Sequence, residues 1–232
     1  MAKTKVQRPK TEDQKPKSKD VAAILLAAGR SRRMGAFKPL LPFGKTTVIR
    51  SCITNLKAGG IGEIVVVVGH RAAELESSLN GIVGVRAVLN PDPTSAMSAS
   101  IARAVESLPA AAHALVIALT DQPAVPGSVI ESIIDAWLAG AKLVIPEFEG
   151  RGGHPVLVDL DFREELLALN PQLGLRALFD SNKDRVLRLP VNSLYIARDM
   201  DTWDDYRALH EDVFGAPPDT WTADKPGLLP TN

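Results

Sequence analysis

A chain of 232 residues with 45% hydrophobic side chains is long enough for one sizeable domain with a full core. Its 27 basic residues balance its 27 acidic ones, so overall charge gives no reason to expect a nucleic-acid or membrane-surface partner. A single cysteine, Cys52, excludes an internal disulfide and accords with a reducing cytoplasm, and no apolar stretch reaches transmembrane length.

The charge is uneven along the chain. Residues 1–20 hold seven lysines and arginines against three acids, which leaves 20 basic and 24 acidic residues in the body. With almost no apolar residues, this tail cannot offset its ordering entropy and is expected to be disordered. It lacks the apolar centre of a signal peptide and reads as a solvated extension.

Residues 21–28 form an apolar run suited to a buried strand. Gly29 and Gly35 then frame a turn that carries Ser31 and Arg33 and closes at Lys38. A glycine-rich turn after a buried strand lets backbone N–H groups approach an anion with no Cβ in the way. Arg33 and Lys38 add positive charge to that cradle. The stretch predicts a phosphate-binding loop at the carboxyl end of the first strand of an α/β sheet. An ordinary strand-to-helix turn with surface arginines is the competing reading.

Residues 39–45 read as a turn, and Thr46 or Thr47 can cap a helix running to about residue 58, with Cys52 as a small core residue. Gly44-Lys45-Thr46 suggests an ATPase P-loop, but the glycine required five residues earlier is Pro39, so the motif fails. No GxGxxG dinucleotide fingerprint occurs. Residues 63–68 form a second apolar strand ending at Gly69-His70, followed by a helix over 72–79 and a strand over 85–89. This alternation predicts a three-layer, Rossmann-like α/β fold with a mostly parallel sheet. His70 lies where such sheets gather ligands, and a surface loop histidine would read the same way.

Asn90-Pro91-Asp92 leads through Ser95, Ser98 and Ser100 into a helix ending near residue 106, where the hydroxyls alone could serve as caps. The next apolar strand, 113–119, ends in Thr120-Asp121-Gln122-Pro123. A carboxylate at the carboxyl end of a central strand faces the same crevice as the first loop. Hard cations such as Mg²⁺ favour one or two carboxylates with phosphate oxygens and water. The alternative for Asp121 is to cap the helix expected over 126–138. A strand over 141–146 precedes Arg151-Gly152-Gly153-His154-Pro155, whose glycines suggest close approach of backbone to a ligand; a structural histidine in a turn is the other reading. Arg176 could meet a substrate phosphate or a surface acid. Asp201 suits the cap of a final helix over 203–213, with Asp204 in its first turn. After residue 214, Pro217, Pro218, Pro226 and Pro230 mark a loose extension, which leaves 21–214 as the expected domain.

The sequence Leu26-Ala27-Ala28-Gly29-x-Ser31-x-Arg33-Met34-Gly35-x-x-Lys38 resembles the signature of the MobA-like NTP transferases, and within them the molybdenum-cofactor cytidylyltransferases. The resemblance implies that Leu26, Ala27, Ala28, Gly29, Ser31, Gly35, Gly69, Asn90, Ser98 and His154 contact nucleotide. It implies catalytic roles for Lys38, Arg33 and Asp121, and a Mg²⁺ site formed by Asp121 with Asp199 or Asp201. The family's Arg-Gly-His-Pro-Val is matched only in part, because Gly152 stands in the arginine slot and Arg151 precedes it. Ala28 and the His154-Pro155 pair imply CTP as nucleotide and molybdopterin as acceptor, with delivery to a molybdoenzyme. Other family chemistries are GTP use, transfer to a sugar or alcohol phosphate, NAD(P)-linked oxidoreduction, or carriage of the finished cofactor.

Overall fold

The computed structural model describes residues 17–29, 33–92 and 95–218, together with the backbone of 221–222 and 225–226. Residues 1–16, Ser31 and most of the extension beyond 218, with the expectations placed on them, lie outside the described residues.

The chain begins with β1 (Val21–Leu26), a small hairpin of β2 (Pro42–Phe43) and β3 (Thr46–Thr47), and α1 (Val48–Ala58). There follow β4 (Glu63–Val68), α2 (Ala72–Leu79), β5 (Val85–Leu89), α3 (Met97–Glu106), β6 (Ala114–Leu119) and α4 (Gly127–Leu138). The second half holds β7 (Leu143–Phe148), β8 (Arg151–Gly152), β9 (Val156–Asp159), α5 (Arg163–Leu167), α6 (Leu175–Ser181), β10 (Val186–Pro190) and α7 (Trp203–Phe214).

The main sheet runs β10-β7-β9-β6-β1-β4-β5, with β8 paired to β7. β1 is parallel to β4 and β6, β4 to β5, and β10 to β7; β9 is antiparallel to both of its neighbours. From β1 the chain moves outward through β4 and β5, then crosses back to lay β6 on the other side of β1. That reversal beside β1 is the topological switch point, where such sheets open a crevice at the carboxyl ends of their strands.

Apart from the exposed Glu63 that opens β4, strands β1, β4 and β6 are apolar, as strands covered by helices on both faces must be. On β1 and β4, Ala23, Leu25, Ile64, Val66 and Val68 pack with α1, α2 and α4. The alternate residues Ile24, Val65 and Val67 pack with α3, α5 and α6. The period-two alternation of strand side chains thus divides one apolar run between two cores, giving the three layers. A third cluster joins Tyr206 and Leu209 of α7 to Met34, Leu41 and Phe43, so α7 lies over the loop that follows β1. Trp203 Nε1 donates to the Met34 carbonyl at 2.9 Å, and the Tyr206 hydroxyl donates to the Pro42 carbonyl at 2.5 Å. No helix among the described residues is long and apolar enough to cross a membrane.

Three local expectations change. Thr46 and Thr47 form the second arm of a hairpin, and Thr47 precedes α1 without making a side-chain cap. The cap of α7 is Thr202, not Asp201: Thr202 Oγ1 accepts from the Asp205 amide at 3.1 Å while Asp205 accepts from the Thr202 amide at 2.8 Å. Gly153 approaches protein and not ligand, because a Cβ there would stand 2.0 Å from the Ile196 carbonyl oxygen.

Candidate active site

A cleft of about 450 Å³ opens at the carboxyl ends of β1, β4 and β6. Leu26, Ala27, Ala28 and Gly29 form its floor, continuing β1 into the loop. The Ala27 amide donates to the Val67 carbonyl at 3.0 Å, so the parallel ladder persists one residue beyond the strand. Gly69, at the end of β4, lies so close to Ala28 that a Cβ on it would stand 3.1 Å from the Ala28 Cβ. Gly35 turns the chain at φ +64° outside the cleft lining.

Arg33 and Lys38 form the cationic wall. Lys38 begins a 3₁₀ turn, is buried to 8% exposure, and donates from Nζ to Asp201 Oδ1 at 2.8 Å. Arg33 donates from Nη1 to Asp201 Oδ2 at 2.6 Å. Both Asp201 oxygens are thereby committed to cations. The Lys38 hydrogen bond foremost, with the Arg33 charge, holds the Asp201 carboxyl below its usual range despite some burial.

Asp121 faces these cations from the end of β6. Thr120 fixes that end against β1 by donating from Oγ1 to the Leu26 carbonyl at 2.6 Å. The Met200 amide donates to the Asp121 carbonyl at 2.9 Å, which lays residues 199–201 alongside 121–122. Asp121 Oδ1 is buried without a hydrogen-bond partner. Burial and, next, the Asp199 charge push its carboxyl up to about 6; Lys38 opposes this and Asp201 adds to it. Asp121 caps no helix, since α4 starts after Pro126. Asp199 is exposed, and one of its oxygens accepts from Gln122 Nε2 at 2.8 Å.

Among the described residues no three of His, Cys, Asp and Glu converge into a ready-made metal cage. The residues nonetheless fit a hard cation that takes one or two protein carboxylates and completes its shell with phosphate and water. The buried, unpartnered Asp121 oxygen is the ligand such an ion would satisfy. Cys52 lies behind this strand end with Sγ 3.7 Å from the Thr120 carbonyl. Burial first, and the Asp121 charge second, push its thiol far up, so it is a core residue and not a nucleophile.

The opposite wall comes from the loop after β5 and the start of α3. The Asn90 amide nitrogen donates to Ser95 Oγ at 2.8 Å and Ser100 Oγ at 2.9 Å, and its oxygen accepts from the Asp92 amide. Asp92, Ser95, Met97 and Ser100 line the cleft, whereas Ser98 is buried outside the lining. Met97 and Ser100 share a helix face by their three-residue spacing, the signal that separates them from Ser98.

His154 stands outside the cleft lining, half-buried, with Nδ1 3.4 Å from the Ile117 carbonyl of β6. Burial lowers its pKa, against the Ile117 carbonyl and the Asp199 charge. Arg151 is exposed on β8, and Arg176 pairs with the surface acid Asp180 at 3.3 Å. His70 packs edge-on to Phe37, also outside the lining.

Among solved structures, the chain resembles Rv0371c from Mycobacterium tuberculosis H37Rv at 30% identity and TM-score 0.73, covering 84% of this chain and all of that one. A manganese complex of Rv0371C matches at 28% identity and TM-score 0.69, over 83% and 98% of the two chains. Among curated proteins, a bifunctional IPC transferase and DIPP synthase of Rubrobacter xylanophilus is 39% identical over 47% of this chain and only 26% of its own length. A nicotine blue oxidoreductase of Paenarthrobacter nicotinovorans is 30% identical over 62% of this chain and 72% of its own. The molybdenum cofactor cytidylyltransferase of Escherichia coli is 28% identical over 60% of this chain and 69% of its own. The model of the MobA-like NTP transferase domain matches residues 23–186, which contain the whole first loop, the Asn90 wall and Asp121. On that match, and on the doubly wound sheet that brings these three together, the chain belongs to the MobA-like NTP transferase family.

Proposed function

We propose that this protein transfers a cytidylyl group from CTP to the terminal phosphate of a molybdopterin-type acceptor and releases pyrophosphate. The observation that carries the reading is the buried, unpartnered Asp121 oxygen placed across the cleft from Lys38 and Arg33. An acceptor phosphate oxygen attacks the α-phosphorus in line, forming a phosphoanhydride as the bond to the β-phosphate breaks. No protein nucleophile is required, so orientation and charge placement supply the rate enhancement.

In this reading Lys38 and Arg33 exchange Asp201 for the β- and γ-phosphates, with the backbone of 27–29 beneath them. Asp121 would hold Mg²⁺ together with Asp199, and Asp201 would serve as the counter-ion of the cationic wall. When bound, the ion supplies charge neutralisation between the two phosphate-bearing substrates. Ala28, backed by Gly69, puts a methyl on the cleft floor and favours the smaller pyrimidine ring. The name of the molybdenum cofactor cytidylyltransferase relative supports the same base and acceptor. A cytoplasmic setting and hand-over to a molybdoenzyme belong to the same reading.

The nicotine blue oxidoreductase relative gives a second reading, oxidoreduction, which in this chain would take the form of hydride transfer from a nicotinamide cofactor. Against it stand the absent GxGxxG and a cleft that pairs two cations with a cation-seeking carboxylate. The test offers CTP, GTP, UTP or ATP with Mg²⁺ and molybdopterin, and separately NAD(P)H with nicotine blue. Pyrophosphate release with CTP alone is the expected result. Release with another nucleotide, or with a sugar or alcohol phosphate as acceptor, would overturn the substrate assignment and leave nucleotidyl transfer standing. Dye reduction without pyrophosphate release would overturn the reaction class.

A further inference from the structure

Gln122 is a poor choice for stability. It is 6% exposed, and its Oε1 is buried with no hydrogen-bond partner. It borders a void of about 20 Å³ lined largely by Leu56, Ala118, Leu119, Val125 and Ile130, surroundings that an apolar side chain would fill equally well. Burying an amide with an orphaned oxygen costs free energy that an apolar side chain of similar volume does not incur. The other half of the amide has one partner: Nε2 donates at 2.8 Å to Oδ1 of the exposed Asp199. The backbone bond from Met200 to the Asp121 carbonyl runs beside that contact. Two links therefore tie 199–200 to 121–122, one through the main chain and one through the Gln122 side chain. Only the second fixes where the Asp199 carboxylate points.

We infer that Gln122 is a positioning residue, whose amide holds the Asp199 carboxylate beside Asp121 so that the two can share one divalent cation. The inference rests on the reading of Asp121 and Asp199 as cation ligands. A hydrogen bond that orients a ligating carboxylate typically changes metal affinity by 10–100-fold when removed, about tenfold at its low end.

The test is Mn²⁺ binding to the full chain, read from the free-ion EPR signal, in the wild type, Gln122→Leu, Asp199→Asn and the double variant, with thermal melting of each. Gln122→Met serves as a second, unbranched replacement should the leucine disturb folding. The expected result is about tenfold weaker Mn²⁺ binding for the Gln122 variant, with a melting temperature unchanged or raised. In the Asp199→Asn background the same substitution should add nothing. An equal further loss in that background, or no loss in the wild type, would overturn the inference and leave the cation site intact. Failure of the wild type to bind Mn²⁺ would overturn the cation reading itself, and this inference with it.

Discussion

At Gly153 the reason for a glycine is a neighbouring carbonyl. A Cβ there would meet the Ile196 oxygen at 2.0 Å, so Gly153→Ala must move the segment that precedes 199–201. Overpacking of this kind costs about 1–3 kcal/mol, measurable as a lower midpoint in chemical denaturation, and a neutral result would contradict the geometry. Lys38 presents the opposite case, a buried cation whose value lies in its partner. Charge-assisted hydrogen bonds contribute about 1.5–3 kcal/mol. Lys38→Ala should therefore weaken CTP binding by roughly ten- to a hundredfold in calorimetry. Unchanged affinity would remove Lys38 from the phosphate subsite. The first-loop motif singled out Arg33 and Lys38, and a strand-end position singled out Asp121, but neither disclosed that Asp201 neutralises both cations. The Lys38–Asp201 contact spans 163 residues, and only the placement of α7 over the first loop creates it.

Among the elements, β1, β4 and β6 were legible because two-sided burial makes each a continuous apolar run. β9 and β10 were not. β9 is four residues long and follows a glycine-rich turn, while β10 is an edge strand with three exposed positions and a terminal proline. The antiparallel insertion of β9 therefore emerges only from the pairing. Its end carries a polar network: Asp159 accepts from Trp137 Nε1 of α4 at 2.7 Å, from Lys142 at 2.9 Å and from the Asp161 amide at 3.0 Å. Burial alone would raise the Asp159 carboxyl, but these donors outweigh it and the group titrates below its usual range. A depressed folded pKa contributes stability that is fully present above the unfolded value, about 3.9, and is lost as pH falls through the folded value. Asp159→Asn should therefore melt below the wild type at neutral pH, and the gap should close as the pH drops below about 4. A gap that stays constant with pH would show that the charge of Asp159 is immaterial.

At the scale of the molecule, helices cover both faces of the sheet, and the reversal beside β1 gathers three distant stretches at one cleft at the strand ends. The α/β alternation anticipated the layers and the mostly parallel sheet. It also placed the crevice, since β1 and β6 had to end near each other. What it could not supply was the wall chemistry, such as Ser100 in place of Ser98 beside Asn90, which depends on the rotation of α3.

In the proposed reaction, nucleotidyl transfer depends on the Asp121 carboxylate. The most direct measurement is pyrophosphate release from CTP, with Mg²⁺ and molybdopterin, by the wild type and Asp121→Asn, alongside thermal melts of both. The expected result is turnover by the wild type and loss of at least about a hundredfold in the variant, the scale on which a single electrostatic catalytic group acts. The variant should melt at or above the wild-type temperature, because a buried unpaired charge has been removed. A variant that folds normally and turns over at the wild-type rate would remove Asp121 from the reaction.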